Sequence, residues 1–381
     1  MDSAGLVPEP TLGAGVWFHD GVPDHAPEQV VLHLGAGKTG TSSLQYLLAA
    51  NREVLAADGT LYPRTPGKAR HTRLGMFAKS DEELVRTGAW RRMGRPDPRR
   101  FRRRFRRRLL QEVADAGARQ VLFSDEALFG LPEDAMRRLR RLTRAIGGDV
   151  RVVVYLRRQD ERLVSRYQQE VKTGSVATLA DWAAGYGTNL HDYHQRLSTW
   201  CRVLGRSALV VRRFERSSFL NGNLYDDFLD AVGTGLSADR LTPVQTRNES
   251  LDAESLEFLR LLNLHRVENE GAEPGYIDNT ALVERLRQQE PGRMLTLPEA
   301  VLDREMERWE RSNRATAEEF LGDPDGLLFR EPRRPGSFTT EQRFDPARLD
   351  HFADIAGLTT DVRDPLRAIA ERAAAEGRTH A

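Results

Sequence analysis

Gly35, Gly37, Lys38, Thr39, Gly40, Thr41 and Ser42 fall within one short stretch, Gly35-Ala36-Gly37-Lys38-Thr39-Gly40-Thr41-Ser42. These residue types suit one task, holding an anion. Glycines let backbone N–H groups come close to a ligand, Lys38 adds a point charge, and the hydroxyls of Thr39, Thr41, Ser42 and Ser43 donate hydrogen bonds. Lysine is scarce here, with only Lys38, Lys68, Lys79 and Lys172 among 57 basic residues, so a lysine in this turn is not filler. The turn has a recognisable setting. Val30-Val31-Leu32-His33-Leu34 before it is an apolar run of strand length, and Leu44, Leu47, Leu48 and Leu55 after it recur at helical spacing as far as Gly59. A turn between a buried strand and a helix start presents N–H groups and a helix dipole that favour a phosphate.

A second stretch repeats the pattern. The β-branched run Arg151-Val152-Val153-Val154-Tyr155-Leu156 ends abruptly in charge at Arg157-Arg158, and Asp160 is placed to cap a following helix. The full Walker A pattern does not fit the first turn, because Leu32 stands where its first glycine belongs. The shorter form Gly-x-Gly-Lys-Thr-Gly-Thr-Ser resembles the loop with which the sulfotransferases that use 3′-phosphoadenosine-5′-phosphosulfate (PAPS) hold the 5′-phosphosulfate. Members of that family grip the 3′-phosphate with an arginine at the end of such a strand and a serine eight residues on, and Arg157 and Ser165 have that spacing. The surrounding Tyr-Leu-Arg-Arg-Gln-Asp and Ser-Arg-Tyr-Gln-Gln resemble the bacterial branch. Weaker likenesses at Asn248-Glu249-Ser250-Leu251, Ser312-Asn313, Phe320-Leu321 and Leu328-Phe329 extend the resemblance from about Val30 to Phe329.

The resemblance implies a nucleotide site made of Gly35, Gly37, Lys38, Thr39, Gly40, Thr41, Ser42, Arg157 and Ser165, with PAPS as donor, adenosine 3′,5′-bisphosphate as product and no metal required. It also implies transfer of the sulfuryl group to a hydroxyl of a carbohydrate or small-molecule acceptor. Lys38 is then placed to stabilise the leaving oxygen. The proton acceptor in such enzymes often stands at the end of the strand between the two phosphate motifs, here Phe123-Ser124-Asp125-Glu126, which makes Glu126 the first candidate for general base. His71, in Arg70-His71-Thr72-Arg73, is the second, and His33 on the first strand reads as structural. The same strand end also resembles a Walker B element, in which Asp125 would hold Mg²⁺ and Glu126 would activate water, so a P-loop ATPase or kinase using Mg-ATP is the rival reading. A nucleotide-binding protein without catalysis is a third.

The elements that must position these residues alternate. Strands at Val30–Leu34, Gln120–Ser124, Arg151–Leu156 and Ala208–Arg212 are separated by helical patterns near Asp97–Ala116 and Leu179–Leu204, which predicts a three-layer, P-loop-type parallel α/β sheet flanked by helices. Ligands of such sheets bind beyond the carboxyl ends of the strands, where the strand order reverses. The C-terminal half is mainly helical by pattern, with breaks near residues 235–246 and 330–336 and a last helix over Pro365–Glu376. Three parts are expected: a flexible tail over 1–29, a sulfotransferase-like domain over 30–335 and a helical extension over 336–381.

With 381 residues, 39% hydrophobic and formally +1, the chain suits an enzyme with a large core. No apolar stretch reaches the roughly 20 residues of a membrane span. Residues 1–29 lack the pattern of a signal peptide, and the single Cys201 points to a reducing, cytoplasmic setting. From Arg91 to Arg108 arginines crowd the chain, yet Phe101, Phe105, Leu109 and Val113 recur every four residues, the mark of a helix with one apolar stripe and a basic outer face. Without stacking or base-reading motifs this face does not indicate nucleic acid. Arg64–Trp90 and Thr173–Asn189 are the expected walls of the acceptor pocket.

Overall fold

The computed structural model describes residues 26–37, 39–94, 96–186, 191–244, 250–290 and 292–379. Lys38, residues 1–25 of the expected tail, and Asn248 and Glu249 lie outside the described residues. Five parallel strands form the central sheet: β1 (Gln29–Gly35), β2 (Thr60–Leu61), β3 (Gln120–Asp125), β4 (Asp149–Leu156) and β5 (Leu209–Arg213), in the spatial order β2-β3-β1-β4-β5. β1 is central, pairing in register with β3 from Gln29↔Gln120 to Leu34↔Asp125 and with β4 from Gln29↔Asp149 to Gly35↔Tyr155. Its side chains are buried on both faces, which explains an unbroken apolar run in place of alternation.

The two faces carry different helices, making three layers. Val30, Leu32 and Leu34 pack with Val121, Phe123, Val152 and Val154 under α2 (Pro98–Ala116), α3 (Glu133–Ile146) and α5 (Tyr193–Leu204). Val31, Leu122, Val153 and Tyr155 face α1 (Thr41–Ala50) and α6 (Leu224–Val232). The expected stripe of α2 is the buried one, with Phe105, Leu109 and Val113 inside and Arg103, Arg104, Arg106, Arg107 and Arg108 exposed. Because β1 is followed outward by β3 on one side and β4 on the other, the order reverses at β1. The loops leaving β1 and β3 reach helices on opposite faces and open a crevice at the carboxyl edge of the sheet.

A second core holds the rest of the chain. Helix α7 (Ala253–Glu270) is buried nearly all round. It packs with Leu163, Tyr167 and Val171 of α4 (Gln159–Lys172), with Leu282, Leu286 and Leu302, and with Phe344, Phe352, Leu366 and Ile369. Residues 336–375 thus share a core with residues 251–302, and a short parallel pair, Met294–Leu295 with Phe338–Thr339, stitches them together. Three local expectations change. The helix after the glycine turn breaks at Asn51, whose buried amide exchanges hydrogen bonds with Thr242. Asp160 is not a cap: Arg158 holds that position, and Asp160 is buried inside the first turn between Arg158 and Arg333. The last helix, α8, runs Thr360–Thr379 with Pro365 inside it, because Val362 packs together with Leu366 on the second core.

Candidate functional site

The chain leaves β1 through a turn that only glycine permits. Gly37 and Gly40 have φ of 86° and 69°, in the left-handed region that L side chains avoid. At Gly35 an added Cβ would sit 2.6 Å from Cγ of Glu126 and 2.8 Å from Oγ1 of Thr41, so the backbone and Glu126 touch directly. Gly40 is the N-cap of α1 and brings no side chain to cap it. The first helical bond is Leu44 N–H to Gly40 C=O, 3.0 Å, which leaves the N–H groups of Thr41, Ser42 and Ser43 without an intrahelical acceptor. Together with the helix dipole they form an anion seat. Thr39 is fully buried, its hydroxyl 3.3 Å from that of Thr41, and braces the turn from below.

The end of β4 supplies the second cationic group. The Arg157 side chain is 17% exposed and its guanidinium meets the Glu161 carboxylate through Nε at 2.8 Å and a terminal nitrogen at 2.7 Å. Burial works against its charge and lowers it, and the Glu161 carboxylate offsets only part of that. Phe214 lies beneath it, and Arg334 stacks on the same ring while its backbone N–H donates to Glu161. Ser165 stands two turns further along α4.

From the end of β3, Glu126 opens a short 3₁₀ turn, Glu126–Leu128. The Asp125 carboxylate behind it is fully buried, accepting from Nε of Arg70 at 2.8 Å and from the Ala127 N–H at 3.2 Å; burial pushes it up from the usual carboxylate range. A cleft of about 1200 Å³ brings Gly35, Gly37, Gly40, Thr41, Ser42, Glu126, Arg157 and Ser165 together. Asp125 is not among its walls.

His71 is not in the cleft either. It is fully buried, its Nε2 3.0 Å from the Pro63 carbonyl and its Nδ1 accepting from the Ser124 N–H at 3.2 Å, an arrangement that fixes a neutral ring donating from Nε2. Burial lowers it to about 3. The ring ties the loop after β2 to the end of β3. His33 is buried in the same way, 2.8 Å from the Ser124 hydroxyl and lowered to about 3.

Of the expected acceptor walls, Arg70, Lys79, Gly88, Thr173 and Tyr186 do border the cleft. Two contributions were not foreseen. Tyr276, Asp278, Glu284 and Arg287 come from the second core and close the far side. They are brought there by Gly174, whose carbonyl accepts from the Gly275 N–H and whose Cα faces Ile277 so closely that a Cβ would lie 2.9 Å from it. The sequence signal was the Pro274-Gly275 turn. Arg162 is the other, buried beside Gly37. The site can therefore hold two anionic groups, one on the glycine turn and one at Arg157, with the Glu126 carboxylate beside the first.

No family model matches the chain, and no solved structure matches it. Over 113 residues it is 33% identical to an uncharacterized protein of Archaeoglobus fulgidus, a stretch that spans 30% of this chain and 30% of that protein.

Proposed function

We propose that this chain is a PAPS-dependent sulfotransferase of P-loop type that sulfates a hydroxyl of a carbohydrate or small-molecule acceptor in the cytoplasm. One observation carries the reading: an uncapped helix start on a glycine turn, a carboxylate against that turn, and Arg157 with Ser165 all border one cleft. PAPS has one anionic group at each end of its ribose, and the donor set fits both. The turn offers backbone N–H groups where any Cβ would intrude, and Arg157 offers a planar fork suited to a phosphate.

PAPS supplies a sulfuryl group on a good leaving group. The chain's own work is then positioning and charge. Thr41, Ser42 and Ser43 N–H groups orient the 5′ end, Lys38 neutralises charge on the leaving oxygen, and Arg157 and Ser165 fix the 3′ end. Glu126, against Gly35, takes the acceptor proton on a carboxylate oxygen. His71, with both ring nitrogens engaged, holds the loop and takes no proton. The Mg-ATP reading needs Asp125 as a metal ligand facing the nucleotide. Asp125 instead lies outside the cleft walls, tied to Arg70.

Thermal melts with adenosine 3′,5′-bisphosphate in the absence of Mg²⁺ test the reading. At about 100 times its Kd a ligand of the folded state adds about 2.7 kcal/mol, a clear rise in Tm. Stabilisation by Mg-ATP with none by the bisphosphate overturns the proposal. Transfer of label from PAPS to a panel of hydroxyl acceptors then names the substrate.

A further inference from the structure

Arg162 lies where no surface arginine would. It is 6% exposed, in the first turns of α4. Its guanidinium is set over two aromatic rings, 5.6 Å from the centre of Phe129 and 5.9 Å from that of Tyr193. Its third neighbour is the glycine turn. A Cβ on Gly37 would stand 3.4 Å from Nε and 4.0 Å from a terminal nitrogen of Arg162, so the guanidinium lies against the Gly37 backbone and borders the same cleft. The Tyr193 hydroxyl links this arginine to the other: it hydrogen-bonds Arg162 and donates to the Arg157 carbonyl at 2.6 Å.

A buried guanidinium is costly to desolvate, and the two rings return part of that cost while fixing the plane of the fork. A fork held in advance loses little freedom when it meets an anion. We infer that Arg162 is the side-chain ligand of the phosphate seated on the glycine turn, the 5′-phosphate of the nucleotide, an assignment that rests on the sulfotransferase reading only for what else the nucleotide carries. The two arginines of α4 and its approach then divide the ligand: Arg162 holds the 5′ end and Arg157 the 3′ end, with Tyr193 setting their spacing. In transfer, the acceptor oxygen bonds to sulfur and loses its proton to Glu126. The bond from sulfur to the 5′-phosphate breaks and its electron pair stays on that phosphate oxygen. Arg162 shares with Lys38 the charge that appears there.

The test is titration of 5′-AMP and adenosine 3′,5′-bisphosphate into the wild type, Arg162→Met, Arg162→Lys and Arg157→Ala. Methionine fills the space between Phe129 and Tyr193 without charge, and lysine keeps charge without the fork. Loss of a charge-assisted pair of hydrogen bonds weakens both nucleotides about 10- to 100-fold in Arg162→Met, with a smaller loss for both in Arg162→Lys, whereas Arg157→Ala weakens only the bisphosphate. Wild-type affinity for 5′-AMP in whichever variant retains a cooperative melt overturns the assignment. A loss confined to the bisphosphate overturns it too, since Arg162 would then serve the 3′ end. If the wild type binds the bisphosphate no more tightly than 5′-AMP, the sulfotransferase reading fails, and the 5′-AMP titrations alone still decide Arg162.

Discussion

Replacing Arg157 by Ala is the sharpest test of which end of the nucleotide this arginine holds. The side chain is 17% exposed and its partner Glu161 10%, so the pair works largely out of water. Truncating one partner of a buried charge pair across a binding interface, here Arg157 with the 3′-phosphate, costs roughly 2 to 5 kcal/mol, which at about 1.4 kcal/mol per decade is roughly 30- to 3000-fold in affinity for adenosine 3′,5′-bisphosphate. Two features move the expected value toward the lower end. Glu161 already occupies the fork at 2.7 Å, so an incoming phosphate must compete with a carboxylate. Arg334, 3.7 Å from Glu161, also supplies a second cation at this end of the site. The same geometry protects the fold of the variant, since Glu161 keeps the Arg334 N–H at 3.1 Å as a donor. Calorimetric titration of the bisphosphate and of 5′-AMP, which lacks the 3′-phosphate, reads the difference directly. Ser165→Ala removes one neutral donor and is expected to lose about 2- to 10-fold for the bisphosphate alone. Glu161→Gln acts in the opposite sense, tightening the bisphosphate by removing a like charge. Equal losses of both nucleotides in Arg157→Ala would refute the reasoning and return Arg157 to a purely structural role.

Glu126→Gln keeps the contact with Gly35 but cannot take a proton, so turnover is expected to fall by about 100-fold or more with bisphosphate affinity unchanged; full activity in this variant would remove Glu126 as base. Lys38→Ala is expected to lower turnover by on the order of 100-fold and nucleotide affinity less, which single-turnover kinetics with PAPS separates from binding; a loss confined to affinity would assign Lys38 to the ground state. His71 is held neutral in the fold, lowered from 6.5 to about 3, so its stabilising contribution is present above pH 6.5 and is lost as pH falls toward 3, at about 1.4 kcal/mol per pH unit. Asp125, pushed up by burial, works in the opposite direction; comparing His71→Asn with the wild type cancels that effect, and denaturation curves between pH 6 and 4 should show the variant with the shallower slope. Equal slopes would mean that His71 is not held neutral.

What the sequence made legible was whatever depends on near neighbours. The runs of β1, β3 and β4 are apolar because both faces of those strands are covered where they pair, and a covered strand needs no partner to declare itself. The stripe of α2 declared itself through Phe105, Leu109 and Val113 even under a crowd of arginines. β2 did not, because Thr60–Leu61 is too short to carry a period and exists only through its pairing with Gln120 and Val121. At the site the same rule holds. The glycine turn, Arg157 and Ser165 could be chosen from spacing within one segment, whereas Tyr276 and Arg287 reach the cleft through backbone bonds between Gly174 and Gly275, residues that nothing local connects.

The burial of charged and polar residues is illegible locally for a single physical reason. A cation in a polar stretch is read as solvated, and burial depends on what folds over it from elsewhere. His71 sits between Arg70 and Thr72-Arg73 in sequence, which suggests an exposed loop, yet its ring stacks 4.3 Å from Tyr62 and hydrogen-bonds the Pro63 carbonyl on one side and the Ser124 N–H at the end of β3 on the other. Arg162 follows Gln159-Asp160-Glu161, the acidic first turn of an ordinary surface helix, yet Phe129 from the β3 loop and Tyr193 from α5 enclose it. Asp125 and Glu126 are adjacent carboxylates, the first closing β3 and the second opening the 3₁₀ turn, and the backbone change between them leaves one buried against Arg70 and the other against Gly35. The two readings of the hexapeptide differ in which of these carboxylates they need at the nucleotide: sulfuryl transfer needs Glu126, and Mg-ATP chemistry needs Asp125.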